Sequence, residues 1–547
     1  MMKQRLTALT LAAAGTLPAS FSHAALPADA TDLSRRLAAR FEGDRTGACV
    51  AAAVIDRDQV LRAQACAGTR SDGPPGENAA FEIGSITKTM TAYLVADLIE
   101  QGRWSLDDPI ARHLPAGTVL PRQGDRQILV RDLLTHTAGL PALPPGMRAT
   151  NAANPYADLT EAELLKALAD VKLTRPIGSR AEYSNFGMML VSLAVANSHG
   201  GDLAAAWQRR LFEPLGMTAT LGPDARRPQA QGHLPGGSPT PAWTITPRLA
   251  GVGMVRATLG DMVAYARAGL GDGPADVVAR LRLTHQPLAQ GFAMNWMHRE
   301  LQGRSLLLHE GGTGGFSSLI ALDPQRQQAV VLLADTALTD LGGLGDLGLS
   351  LLGLDVPVQP PRRTEEAPAA LRQALAGDYR LGPMSVRLWQ TAEGRLMLQA
   401  QGQQAFELRY DSTGDFYPLG LNARLTPLSA TTDAAVAGFT WHQGGGVVEA
   451  ARVGTASTVA SAPPADAKAW TGHYALTPQF SLRVFEQGGQ WKVQGTGQPA
   501  ITATAAGTDR LEIAQVGAVV TFERNAEGEV VAAVLTQGGQ VLRGARR

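Results

Sequence analysis

Gly84-Ser85-Ile86-Thr87-Lys88-Thr89 opens an apolar segment in which Met90, Leu94 and Leu98 recur at i, i+4 spacing, which predicts a helix from about Ser85 to Gln101. At the start of a helix, residues three apart share a face, so the Lys88 amine is set beside the Ser85 hydroxyl. A serine hydroxyl is a weak nucleophile until a base takes its proton, and a lysine withdrawn from water shifts toward the neutral amine that can take it. The helix N-terminus adds a backbone N–H and a positive dipole end where an oxyanion would develop. The pair alone says little, because serines are common and a solvated lysine is the plain alternative. Lysine is scarce here, however. The chain has six (Lys3, Lys88, Lys166, Lys172, Lys468, Lys492) against 43 arginines, and only Lys88 follows a serine by three positions.

Other catalytic signatures fail. No Gly-x-Ser-x-Gly elbow occurs, which leaves an α/β-hydrolase unsupported. Gly84 to Thr89 imitates the end of a phosphate loop, but Thr87 stands where glycine must precede the lysine. Gly343-Leu344-Gly345-Asp346-Leu347-Gly348 has dinucleotide-loop spacing, yet it begins well past the nearest strand, and a closing surface helix is the better reading. The histidines show no close-paired spacing, so neither a metal nor another cofactor is implied.

The 547 residues are 45% hydrophobic and 18% charged, which excludes a disordered chain and a polytopic membrane protein. Lys+Arg 49 balances Asp+Glu 49, so nucleic acid and acidic lipid surfaces are not expected partners. Residues 1–24 read as a secretory signal: a basic start at Lys3 and Arg5, an apolar run from Leu6 to Phe21, and small residues before a cut after Ala24. A periplasmic or secreted protein without a membrane span after cleavage is expected. Cys49 to Ile55 and Val60 to Cys66 form an apparent hairpin. A two-residue turn at Arg57-Asp58 brings Cys49 opposite Cys66, at a pair where Cα atoms approach to about 4.5 Å and a disulfide can close. Two free thiols are the alternative.

Further along, Thr160-Glu161-Ala162-Glu163 is a capping box flanked by a Leu159/Leu164 staple, so a helix should start there. Another should start near Phe186, after Tyr183-Ser184-Asn185, and end near Ser198. Arg304 to Leu308, Phe316 to Leu322 and Val330 to Ala334 read as strands. Residues 359–372 are rich in proline and charge and read as a linker. Beyond that linker the chain repeats itself at an offset of about 95 residues: Gly377-Asp378-Tyr379 matches Gly472-His473-Tyr474, and Ser385 to Trp389 matches Ser481 to Phe485. Two copies of one antiparallel β unit are expected at 373–453 and 468–547, joined by a second linker at 454–467.

Taken with Tyr183-Ser184-Asn185 and His309-Glu310-Gly311-Gly312, the Ser85 motif gives the chain a resemblance to the β-lactamase-related, penicillin-recognising serine hydrolases, the group that includes class C β-lactamases, D-aminopeptidases, DD-carboxypeptidases and some esterases. The likeness spans about residues 32 to 355 and also takes in Leu133-Leu134-Thr135-His136-Thr137-Ala138-Gly139-Leu140, Leu106-Asp107-Asp108-Pro109 and Glu213-Pro214-Leu215-Gly216-Met217. It implies that residues 25–358 form an α/β (α+β) catalytic domain of the β-lactamase/transpeptidase type, an antiparallel sheet flanked by helices with an all-helical subdomain. It implies Ser85 as nucleophile, Lys88 as its activator and Tyr183 as proton relay, with Asn185 holding both the substrate amide and Lys88. Backbone N–H groups of Ser85 and Gly312 would form the oxyanion hole, beside His309 and Gly311 on the substrate side; His136 would be a structural hydrogen-bonding residue.

One departure bears on substrate. Many members carry Lys-Thr-Gly where this chain has His309-Glu310-Gly311, and a histidine near its ordinary pKa of about 6.5 is mostly neutral, whereas lysine suits a carboxylate. The histidine is similar to that of D-aminopeptidases and family esterases, so amide or ester hydrolysis is expected, with a β-lactamase or DD-carboxypeptidase as the alternative. Glu310 should point away from the cleft, since adjacent strand residues face opposite sides. A non-catalytic receptor for peptidoglycan fragments or penicillin is the alternative of another class. The C-terminal repeats resemble lipocalin-like β domains attached to some of these hydrolases, where they shape access to the site; a passive stabilising module is the other reading.

Overall fold

The computed structural model describes residues 25–428 apart from 72 and 174, residues 436–453 apart from 445, and residues 467–547 apart from short gaps at 478–479, 499, 506–508, 514–517, 526 and 538–539. The expected signal and nearly all of the second expected linker lie outside the described residues.

A six-stranded sheet organises the first part of the chain. Its strands are β1 (Cys49–Asp56), β2 (Gln59–Cys66), β3 (Met297–Leu301), β4 (Arg304–Gly312), β5 (Ser317–Asp323) and β6 (Gln328–Ala334), in the order β2-β1-β6-β5-β4-β3, antiparallel throughout. The two-residue pleat divides β1 between two cores. Val50, Ala52 and Val54 pack with Leu33, Leu37 and Phe41 of the helix Ala30–Phe41 and with Leu347 and Leu351 of the helix Gly345–Leu351. Ala51, Ala53 and Ile55 face the larger helical side. The glycine-rich 343–348 stretch therefore leads into a helix, beginning at Gly345, that closes one face of the sheet. In the β1/β2 hairpin the register runs from Asp56↔Gln59 out to Cys49↔Cys66, and these cysteines are disulfide-bonded with Cα atoms 4.0 Å apart.

On the other face, Thr160 caps the helix Glu161–Asp170 with both bonds of the capping box formed, over buried Leu159 and Leu164. The helix Thr87–Glu100 departs from a one-sided amphipathic pattern: Thr87 through Leu98 are all buried. It packs against the helices Asn185–Ser198 and Ala275–Thr284 and the turn Pro247–Val252, so every face is core. It also starts later than its apolar spacing predicts, because Gly84–Ile86 forms a separate 3-10 turn.

Both C-terminal repeats form closed eight-stranded antiparallel barrels. The first runs from Gly377–Leu381 to Gly446–Val453 and carries the short added strand Thr364–Glu365; the second runs from Gly472–Ala475 to Gln540–Arg546. Each begins with a tyrosine whose hydroxyl reaches back four residues, Tyr379 to the Leu375 carbonyl and Tyr474 to the Trp470 carbonyl, both at 2.7 Å. Trp470, Tyr474 and Phe522 pack together within the core of the second barrel.

The chain divides into two compact units, and residues 409–424 and 442–446 of the first repeat group with the residues up to Glu366. Buried charge accounts for that grouping. Arg45 pairs with Asp411 at 2.7 Å, Arg362 with Asp415 at 2.8 Å, and Arg424 bridges Asp415 and the Asp340 carbonyl. Arg362, placed in the first expected linker, is only 6% exposed and also donates its backbone N–H to Asp44. Buried guanidinium groups demand such partners, so this stretch is anchored in place of swinging free.

Candidate functional site

Ser85 sits in the 3-10 turn Gly84–Ile86, and Lys88 in the first turn of the following helix. In 3-10 geometry i and i+3 eclipse, which tightens the approach expected from an α-helix. Lys88 Nζ lies 2.8 Å from Ser85 Oγ and donates at 2.6 Å to the Val252 carbonyl. The turn bearing Val252 is tied down by hydroxyls: Thr91 donates to the Gly251 carbonyl, Ser192 accepts from Gly251 N–H, and Thr87 accepts from Val255 N–H. Lys88 is fully buried, and desolvation holds its pKa well below the ordinary 10.5, which shifts the amine toward its neutral form.

The turn meets the end of β4. Gly84 has φ +50°, and a Cβ there would stand 2.6 Å from the Gly312 backbone nitrogen. Both the left-handed backbone and the close approach demand glycine. Ser318 donates to the Ile83 carbonyl at 2.8 Å, and a side chain on Gly311 would run into those same two groups. The Ser85 turn and the Gly311-Gly312 strand are thus packed backbone to backbone.

Tyr183 precedes the helix Asn185–Ser198, whose N-cap is Ser184, bonded to Gly187 N–H at 2.9 Å. With Ser184 as the cap, the Asn185 side chain is free for another task. Lys88 Nζ lies 5.0 Å from the Tyr183 ring centroid. The Tyr183 ring is 38% exposed, but its hydroxyl end is desolvated; this pushes its pKa above the ordinary 10, opposed in part by a hydrogen bond with Ser85. Asn185 does not bond Lys88 as expected. Its Nδ2 donates at 3.4 Å to the buried Tyr156 hydroxyl, and the Val252 carbonyl takes the place beside the amine.

His309 on β4 is 2% exposed and packs edge-on against Tyr183. Its Nδ1 lies 2.6 Å from the Glu310 carbonyl, while its buried Nε2 has no partner among the described residues. Desolvation, reinforced by Lys88, pushes its pKa down to about 3, so the ring is neutral. Nδ1–H donates to the carbonyl, and Nε2 is left as an acceptor. Glu310 turns to the other side, where a Cβ on Gly343 or Gly345 would approach its Oε1. Ser85, Lys88, Tyr183, His309, Gly311 and Gly312 are therefore brought together, while the Asn185 side chain is engaged by Tyr156. Sequence reasoning missed Tyr156 and Val252; the second contributes only a carbonyl, which no side-chain pattern announces.

A family model described as Beta-lactamase matches residues 35–348. The D-alanyl-D-alanine-carboxypeptidase/endopeptidase AmpH of Escherichia coli (strain K12) is 28% identical over 321 residues, covering 54% of this chain and 82% of that protein. Penicillin-binding protein 4 of Amycolatopsis lactamdurans is 30% identical over 334 residues, covering 55% of this chain and 84% of its own. Among solved structures, a Beta-lactamase/D-alanine Carboxypeptidase from Yersinia pestis complexed with citrate is 24% identical, with a TM-score of 0.46 over 53% of this chain and 88% of that one.

Proposed function

The chain belongs to the beta-lactamase family, and from that premise we propose that it is an exported serine hydrolase that opens an amide or ester bond through an acyl-enzyme on Ser85. The observation that carries this reading is the Ser85 Oγ to Lys88 Nζ distance of 2.8 Å, made by an amine desolvated toward its neutral form. In the proposed first half-reaction Lys88 takes the Ser85 proton as Oγ bonds to the substrate carbonyl carbon. Backbone N–H groups of Ser85 and Gly312 receive the oxyanion. Tyr183, kept protonated by its raised pKa, gives its proton to the leaving nitrogen or oxygen as that bond breaks, and is reprotonated from Lys88. In the second half-reaction water attacks the ester carbon, its proton leaves through the same groups, and Oγ departs as the hydroxyl.

The neutral His309 supports the amide or ester preference. Its Nε2 can accept from a substrate N–H but offers no cation to a penicillin or D-Ala carboxylate. A DD-carboxypeptidase reading is favoured by the AmpH relative, whose name carries that activity. Wild type and Ser85→Ala would be assayed on a p-nitrophenyl ester, D-alanine p-nitroanilide, nitrocefin and a D-Ala-D-Ala peptide. Turnover of the ester or anilide that vanishes in Ser85→Ala is the expected result. Activity unaffected by the substitution overturns the nucleophile. Rapid nitrocefin or D-Ala-D-Ala cleavage overturns the substrate preference, and stoichiometric labelling without turnover favours a receptor.

A further inference from the structure

His136 lies just past the short helix Val130–Leu134, 2% exposed, with φ +57°. This left-handed backbone is uncommon outside glycine, with Asn, Asp and His the side chains that adopt it most readily. From there the residue grips the chain on both sides of Tyr183. Its carbonyl accepts from Glu182 N–H at 2.9 Å, and its Nδ1 accepts from Ser184 N–H at 3.2 Å. Its ring lies 4.5 Å from the Tyr183 ring, and the edge-on Phe292 ring is 5.3 Å away. The rest of the loop continues the grip: Thr137, Pro141 and Ala142 carbonyls accept from Gly178 N–H, Ser184 Oγ and Phe186 N–H.

We infer that His136 is a positioning residue that acts through Tyr183, holding the peptide groups on either side of it and bracing the phenol ring at the angle from which its hydroxyl reaches Ser85. The inference rests on the reading of Tyr183 as the proton relay. Accepting from Ser184 N–H requires an unprotonated Nδ1, and the surroundings enforce it. Burial, then the nearby Lys88 and His309, hold His136 well below its ordinary pKa of 6.5, so its single proton sits on Nε2. A proton-transfer geometry is unforgiving: a shift of about 1 Å in a reacting group can cost on the order of 100-fold.

The test is a double-mutant cycle on ester hydrolysis with the full chain. Tyr183→Phe gives the reference loss. His136→Ala is expected to lower kcat by about 100-fold with KM little changed, and in combination with Tyr183→Phe to cost almost nothing further, because both substitutions disable one device. His136→Asn places Oδ1 where Nδ1 was and tolerates the left-handed backbone, so it should recover most of kcat; His136→Gln, one bond longer, should not. A kcat loss that adds in full to that of Tyr183→Phe, or His136→Asn as impaired as His136→Ala, overturns the inference alone. Tyr183→Phe at wild-type activity overturns the relay reading beneath it. Should His136→Ala fail to fold, the cycle is run with His136→Gln, and melting curves accompany every variant.

Discussion

Replacing Lys88 by methionine should separate catalysis from stability. The two side chains have similar length, and Lys88 is fully buried, so the substitution exchanges an amine for an apolar tip in the same space. On the stability side it orphans the Val252 carbonyl, a cost of about 1–3 kcal/mol for a buried acceptor. Against this it removes a desolvated amine, whose burial is unfavourable in proportion to its depressed pKa. The two effects oppose each other, and a net change within about 2 kcal/mol is expected. On the catalytic side the proposed base is gone, and loss of a positioned general base costs about 10²–10⁴ in rate, or roughly 3–5 kcal/mol of transition-state stabilisation. Activity should therefore fall by more than stability does. The assay is kcat/KM for a p-nitrophenyl ester between pH 6 and 10, alongside urea unfolding. In wild type kcat/KM should rise with pH as Lys88 loses its proton, along a limb lying well below pH 10.5; in Lys88→Met that limb should vanish. Lys88→Arg restores a cation but not a base and should stay inactive. Lys88→Met within tenfold of wild type, or the same acid limb in both proteins, refutes the assignment.

Three further outcomes rest on particular contacts. Gly84→Ala puts a Cβ into the Gly312 nitrogen on a backbone of φ +50°, so kcat should drop at least about tenfold; unchanged kcat would remove Gly312 from the site. Cys49→Ser with Cys66→Ser opens a loop of sequence separation 17, worth about 3 kcal/mol by chain entropy, so the unfolding midpoint should fall while turnover at 25 °C stays; an unchanged midpoint contradicts this. His309 and His285 are buried neutral, with pKa values pushed from 6.5 to about 3 and about 4. Between those values and 6.5 the unfolded chain binds more protons than the folded one, so stability is full above pH 6.5 and is lost as pH falls toward 3 to 4. Urea midpoints should show that slope, and His285→Gln should flatten it.

Much of this arrangement comes from local rules. The Ser85/Lys88 proximity comes from three residues of helical rise, the Cys49/Cys66 register from a two-residue turn, and the Glu161–Asp170 helix from its capping box. Each is decided by neighbours in the chain, so each is legible from residue types and spacing. The barrel repeats are legible for a related reason, since a duplicated unit shows its own period.

The remainder is set by partners far apart in sequence. The Val252 carbonyl beside Lys88 is 164 residues away, and the Tyr156 hydroxyl that engages Asn185 is 29 residues away. Arg362 reads as linker because proline and charge surround it, yet Asp411 and Asp415 bury it. The helix Thr87–Glu100 reads as one-sided because only its strongest apolar residues stand out, whereas packing covers its threonines and Lys88 as well. The residues of this chain determine by themselves that Ser85 and Lys88 share one face at the start of a helix. Only the tertiary structure decides that the Lys88 amine is withdrawn from water. Desolvation depends on everything packed against a group, and here it shifts a lysine three residues after a serine toward the neutral amine that the proposed proton transfer needs.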